Sequence, residues 1–207
     1  MTPQMMMSKK LVFATRNDGK LREIREFFQG AGFGARFQIL SLDDVLFAEN
    51  VVEDGATFEE NAAKKAAAVC RHSDLLTLAD DSGLVIDALG GEPGVDSANF
   101  LGTDTPYPIR NAKIIEMLDG VPPERRTARF VCVIAIAILG HDVFVVRGEL
   151  EGQIALKPAG DTGFGYDPIF YLPERGLTTA QLSIREKNKI SHRGIALTKA
   201  VAEVIAI

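Results

Sequence analysis

Apolar residues in this chain recur at two spacings, and the places where the spacing changes mark the elements. Leu11-Val12-Phe13-Ala14 is a compact apolar run between polar residues, as in a buried strand, and Gly19 to Gln29 then sets Leu21, Ile24, Phe27 and Phe28 at helical intervals. Arg36 to Leu42 reads as a second strand. Thr57, followed three residues later by Glu60, is a capping-box signature and predicts an Ala-rich helix to about Arg71. Leu75 to Ala79 and Leu84 to Leu89 read as strands on either side of a turn at Asp80 to Gly83. Pro108 to Leu118 reads as a helix with Pro at its start. Ala128 to Leu139 and Val143 to Leu150, rich in β-branched residues and split by Gly140-His141-Asp142, predict a long hairpin at the centre of the sheet. A Gly-rich loop from Lys157 to Asp167 follows, and a helix from Ser191 closes the chain. Helices and strands interleave while the hairpin is antiparallel, so the pattern predicts an α/β fold on a mixed sheet.

Composition narrows this picture. With 207 residues, 46% of them hydrophobic, the chain can bury a core and is expected to form a single domain over residues 9–207, with two lobes around a cleft. Met1 to Ser8 is expected to be a disordered extension. The formal charge of −5 offers no global attraction to nucleic acid, so any phosphate site must be local. Cys70 and Cys132 show neither metal-ligand nor redox spacing and read as small core residues, which suits a reducing cytoplasm. Met1 to Lys10 lacks the apolar stretch of an export signal, and Val131 to Leu139 is too short to span a bilayer, so no membrane partner is expected.

Five groups of residues carry candidate chemistry. Thr15-Arg16-Asn17-Asp18-Gly19-Lys20 joins a strand to a helix, where free N–H groups and a Lys make an anion site, although the same residues serve an ordinary capped turn. Asp80 and Asp81 are adjacent, so their side chains diverge; one can hold Mg²⁺ through oxygen, or both can sit in a solvated turn. Asn61 and Lys65 share one helical face, Glu60 and Lys64 are placed for an i to i+4 ion pair, and Glu53 is a spare metal ligand. Phe164-Gly165-Tyr166-Asp167 gives an aromatic face and a carboxylate suited to a purine, or a core Phe and Tyr beside a loop. Ser191-His192-Arg193 places two cationic side chains against a helix dipole, which hints at a compensating ligand.

Taken together and in this order, the motifs resemble the inosine triphosphate pyrophosphatase, or Ham1-like, family. The matching segments are Thr15 to Lys20, Thr57 to Ala62 with Lys65, Ala79 to Leu84, Ala128-Arg129-Phe130, Gly163 to Pro168, and Glu186-Lys187 with Ser191 to Gly194. The resemblance covers nearly the whole chain from Lys10 and lies close to bacterial members that cleave dITP, ITP and XTP. It implies an α/β fold with a long mixed central sheet, flanking helices and two lobes around a substrate cleft, in a cytoplasmic homodimer. The implied activity is Mg²⁺-dependent hydrolysis of a non-standard purine nucleoside triphosphate to the monophosphate and pyrophosphate. Carried over by motif, Thr15, Arg16, Asn17, Asp18, Gly19 and Lys20 hold the phosphates, assisted by Lys65. Asp81 binds metal and acts as general base, Glu53 is a second metal ligand, and Ser82 touches the substrate. Phe164, Gly165, Tyr166, Asp167, Lys187, His192 and Arg193 form the base pocket. A Mg²⁺ phosphomonoesterase or a nucleotide-binding module is the alternative.

Overall fold

A computed structural model describes residues 8–206; the expected disordered extension falls on residues 1–8, of which all but Ser8 lie outside the described residues. Strands β1 (Lys9–Phe13), β2 (Phe37–Leu40), β3 (Thr77–Ile86), β4 (Thr127–Ala137), β5 (Phe144–Ile154), β6 (Phe170–Leu172) and β7 (Leu177–Thr178) form one sheet in the order β2-β1-β3-β4-β5-β6-β7. β1 runs parallel to both β2 and β3, and every other pairing is antiparallel. The expected mixed sheet is therefore present. The long hairpin pairs Thr127 with Gln153 through Ile136 with Phe144, and places β4, buried along nearly all its length, at the sheet's middle.

The helices cover both faces because their apolar stripes need partners. Helices α1 (Asp18–Gly30) and α5 (His192–Ala206) pack with Leu11, Phe13, Leu78, Cys132, Ile134 and Ile136 on one face. Helix α2 (Phe58–Ser73) covers Val12, Ala79, Val131, Val133 and Ala135 on the other. Helix α3 (Tyr107–Met117) and β6 enclose a third cluster at the far end.

One expectation needs correction, and one element was not foreseen. The turn at Asp80 to Gly83 does not exist: β3 runs unbroken through it, with Asp80 opposite Ile134, Asp81 opposite Val133, Ser82 opposite Cys132 and Gly83 opposite Val131. Turn composition describes how such residues behave in water, whereas here the long pairing with β4 supplies the backbone partners and cations supply the side-chain ones. Gly83 is required by packing, since a Cβ there would collide with the Gly94 carbonyl and the Ser97 hydroxyl. The sequence pattern assigns no element to the segment just before α5. Ser183 and Glu186 form a reciprocal capping box that starts a short helix, α4 (Ile184–Ile190), and Ser191 ends it while its hydroxyl accepts from Gly194 N at 3.0 Å to start α5.

Helix α5 sits on β5 with no side chain between them at Gly148. A Cβ at that position would meet the carbonyl of His192 and, at 2.6 Å, the backbone nitrogen of Ala196. Gly148→Ala is expected to push the helix off the sheet and cost about 1–3 kcal/mol as an overpacking change. A lower urea midpoint at unchanged slope in equilibrium unfolding checks this.

Candidate active site

The pleat of β3 divides its polar residues between two faces. Asp80 and Ser82 face α1 and α5, while Asp81 and Gly83 face α2. On the first face the sequence has placed a chain of alternating charges. Lys187 Nζ bridges Asp167 at 2.5 Å and Glu23 at 2.6 Å, Arg193 bridges Glu23 at 2.5 Å and Asp80 at 3.2 Å, and Lys20 reaches Asp80 at 3.0 Å. All but Lys20 are buried. Burial pushes the Glu23 and Asp80 carboxyls up, but the neighbouring cations more than reverse this and hold both below the usual carboxylate range. The ligand that the Ser191-His192-Arg193 pattern hinted at is thus first of all protein. Arg193 is compensated by two carboxylates, and His192 carries no charge to compensate, since burial and the nearby Arg193 and Lys187 lower its pKa well below the ordinary value.

On the second face Lys65 Nζ lies 2.6 Å from Glu53 and 3.8 Å from Asp81. Burial pushes the Asp81 carboxyl up to about 6 although Lys65 and Lys20 pull it down. Asp81 Oδ1 accepts from Ser82 N at 3.0 Å, whereas its buried Oδ2 has no hydrogen-bond partner. The expected Glu60–Lys64 pair is absent. Glu60 accepts from Ala56 N at 2.7 Å and Thr57 Oγ1 from Glu60 N at 3.2 Å, so Glu60 caps α2, and Lys64 turns to Asp54.

Above β3 lies a cleft of about 310 Å³ that gathers nearly every residue singled out from the sequence: Thr15, Arg16, Asn17, Lys20, Glu53, Lys65, Asp81, Ser82, Phe164, Gly165, Tyr166, Asp167, Lys187, His192 and Arg193. Asp18 and Gly19 are not in its lining. Gly19 backs the Phe164 ring, which would stand 2.7 Å from a Cβ there, and Asp18 is exposed at the start of α1. Asn17 caps α1 by accepting from Lys20 N at 3.0 Å. Arg16 donates to the carbonyls of Phe47 at 2.7 Å and Glu49 at 3.2 Å, which ties the strand-to-helix turn to the loop leading to Glu53. Asp167 is committed within the protein, accepting from Phe164 N at 2.8 Å and Thr179 Oγ1 at 2.8 Å besides Lys187. The Phe164 ring lies with Lys187 and Arg193 about its face at 5.1 and 5.6 Å. His192 stacks on Phe130 at 4.7 Å and leaves Nδ1 unpartnered.

The cleft therefore has a cationic end with a carboxylate oxygen free to accept, and an aromatic end. The Ham1 family profile matches residues 11–203. This chain belongs to the Ham1 family. It is 51% identical over 191 residues to a dITP/XTP pyrophosphatase of Geobacillus kaustophilus, spanning 92% of each chain. It is 47% identical over 196 residues to a dITP/XTP pyrophosphatase of Shouchella clausii, spanning 95% of this chain and 96% of that one. A Ham1 protein of known structure from Coxiella burnetii is 37% identical and superposes with a TM-score of 0.84, covering 96% of this chain and 100% of that one.

Within this Ham1 fold, sequence reasoning missed Glu23, Ser97 and Tyr107. Glu23 had a readable signal: it lies on the stripe of Ile24, Phe27 and Phe28, so α1 buries an acid beside its apolar residues. Ser97 and Tyr107 carry no motif and reach the cleft wall only through the fold.

Removing one member of a buried charge pair strands the other, at about 3–5 kcal/mol, whereas an exposed pair such as Lys64–Asp54 contributes little because water screens it. Glu23→Gln leaves both Arg193 and Lys187 undercompensated and is expected to fall in the first range. Because the Glu23 pKa is lowered on folding, the stability it supplies is complete above its ordinary value of 4.5 and is lost as pH falls through the lower folded value. Urea unfolding should thus show a pronounced loss for the unmutated protein from pH 5 downward, and a shallower one for Glu23→Gln.

Proposed function

We propose that this chain hydrolyses non-standard purine nucleoside triphosphates, dITP, ITP and XTP, to the monophosphate and pyrophosphate. The observation that carries this reading is the unpartnered Asp81 Oδ2 between Lys20 and Lys65 at one end of a cleft whose other end is the Phe164 ring. The names of the relatives point the same way. The triphosphate lies along Lys20, Lys65 and the start of α1, where cations and helix N–H groups meet negative charge. Asp81 Oδ2 takes the proton of the attacking water, the bond between the α- and β-phosphates breaks, and pyrophosphate leaves with the displaced electron pair.

The donor set fits Mg²⁺. Glu53 and Asp81 both converge on the Lys65 ammonium, so a cation is already accommodated between them, and the Asp81 carboxylate offers hard oxygens of which one has no hydrogen-bond partner. Among the described residues no cluster of three metal-ligating side chains occurs, so the protein would supply these two carboxylates to the ion and no third one. When bound, it withdraws charge from the phosphates and acidifies a water. Glu53 and Asp81 hold it, and the Arg16 tether positions the segment that carries Glu53.

Hypoxanthine and xanthine present an acceptor at C6 where adenine presents an amino donor. Arg193 is fully engaged with Glu23, Asp80 and Ser82, so His192, neutral and with Nδ1 free, is the donor left for that oxygen. A buried donor left unpaired costs about 1–3 kcal/mol, which sets an ITP preference of tenfold to a hundredfold over ATP for each such mismatch. A homodimer and a cytoplasmic address complete the proposal on the strength of the family resemblance; no helix among the described residues is long and apolar enough to cross a membrane. Light scattering checks the dimer.

Assayed with ITP and Mg²⁺, the protein should release pyrophosphate and no free phosphate, and ATP should be a much poorer substrate. Asp81→Asn should keep the melting temperature and remove nearly all turnover, since an amide neither takes the proton nor offers an anionic oxygen. Release of free phosphate would instead mark a phosphomonoesterase.

The pH profile tests the base. With Asp81 near 6 in the free enzyme, kcat/KM for ITP should fall as pH drops below about 6, because the protonated carboxyl cannot act. The Lys65 ammonium lowers that pKa, so Lys65→Gln should move the acid limb to higher pH in addition to slowing the reaction.

A further inference from the structure

Arg110 is buried on α3 and belongs to none of the motifs. Its guanidinium donates from Nη1 to the carbonyls of Ser97 at 3.3 Å and Ala98 at 2.5 Å, and from Nη2 to those of Gly102 at 2.9 Å and Thr103 at 3.2 Å. Among the described residues it pairs with no carboxylate, so carbonyl dipoles and the face of the Tyr107 ring, 4.9 Å from the guanidinium carbon, meet its charge. An Arg without an acid partner is costly to bury, and the four carbonyls belong to one loop, residues 97–103, whose first two residues line the cleft.

That loop is a junction. The Ser97 hydroxyl accepts from Leu84 N at 2.8 Å, which fixes it to the strand carrying Asp81, and the Ser97 carbonyl also accepts from the Tyr166 hydroxyl at 2.7 Å. Burial pushes the Tyr166 hydroxyl up to about 12, so it remains a donor. Asn111, next to Arg110, donates to Gly165 O at 3.2 Å. The Leu84–Ser97, Tyr166–Ser97 and Asn111–Gly165 bonds thus register the Phe164 loop on β3.

We propose that Arg110 is a positioning residue for base recognition: by holding the 97–103 loop it sets, through Ser97 and Tyr166, where the Phe164 ring stands relative to Asp81. This rests on the reading that a purine lies against Phe164. Lys supplies the charge of Arg110 but not the fork that serves two pairs of carbonyls. Arg110→Lys should raise KM for ITP roughly tenfold, the equivalent of one charge-assisted hydrogen bond, and lower the ITP-to-ATP ratio of kcat/KM, while kcat for ITP stays within about threefold. Tyr166→Phe, which removes the bond to Ser97 and keeps the ring, should shift the same ratio in the same direction by less. Phe37→Leu, in the edge strand β2, serves as the control for lost stability alone and should leave the ratio unchanged.

The proposal is overturned if folded Arg110→Lys keeps the wild-type KM and ratio, or if Phe37→Leu at a matched melting temperature moves the ratio as much. Should Arg110→Lys fail to fold, an unchanged ratio in Tyr166→Phe overturns it. Absence of any ITP preference in the unmutated protein strikes the functional reading itself, and the proposal with it.

Discussion

The cleft depends on a row of charges that cannot be separated from one another. Asp167, Lys187, Glu23, Arg193, Asp80 and Lys20 alternate in sign along the underside of the site, and each of the four inner members bridges two neighbours. Burying any one alone would cost several kcal/mol; alternation makes the whole row neutral and gives every inner charge two partners. The row also ties together elements far apart in sequence. Glu23 comes from α1, Asp80 from β3, Asp167 from the Phe164 loop, Lys187 from α4 and Arg193 from α5. The apolar core brings these elements near, and the charges select one arrangement among those that the core would tolerate.

The pleat of β3 then turns this framework into a site. With a side-chain period of two, the adjacent pair Asp80 and Asp81 is split between faces, one structural and one available. Asp80 is drawn below the usual carboxylate range by the cations around it, while Asp81, buried with less compensation, is pushed up to about 6. Two chemically identical neighbours acquire opposite properties because the sheet passes between them. The same alternation would be lost if the segment were the turn that its composition suggests.

This is also where the sequence stopped being legible. Long periodic stretches gave α1, α2, the β4–β5 hairpin and the sheet's mixed character, because burial over many residues leaves a repeating mark. The motifs named most of the cleft's polar lining, while Phe47, Asn50, Ser97 and Tyr107 carry no motif. Short elements were missed, α4 among them, although its Ser183 to Glu186 capping box is as clear as the one on α2. β3 was cut in two because Asp-Asp-Ser-Gly looks the same whether water or a buried Lys receives the carboxylates. Partners were the least readable of all: Arg193 and His192 looked like cations waiting for a ligand, since nothing local in sequence shows that Glu23, 170 residues away, already holds the arginine.

The charge balance bears on how an acidic protein takes up a polyanion. The buried row is neutral, and the triplet Glu53, Lys65 and Asp81 carries a net charge of −1 when both carboxyls are ionised. The partly exposed Lys20 is the end of the row that faces the cleft, with Lys65 opposite it, and each already has a carboxylate beside it. The floor therefore offers a triphosphate oriented donors without the excess of positive charge that would hold any anion indiscriminately. A divalent cation held by Glu53 and Asp81, as proposed, would offset part of the negative charge that the phosphates bring. On this argument the proposed Mg²⁺ would supply the positive charge that the balanced site does not hold in excess, and the same balance would leave the choice of substrate to the aromatic residues of the cleft.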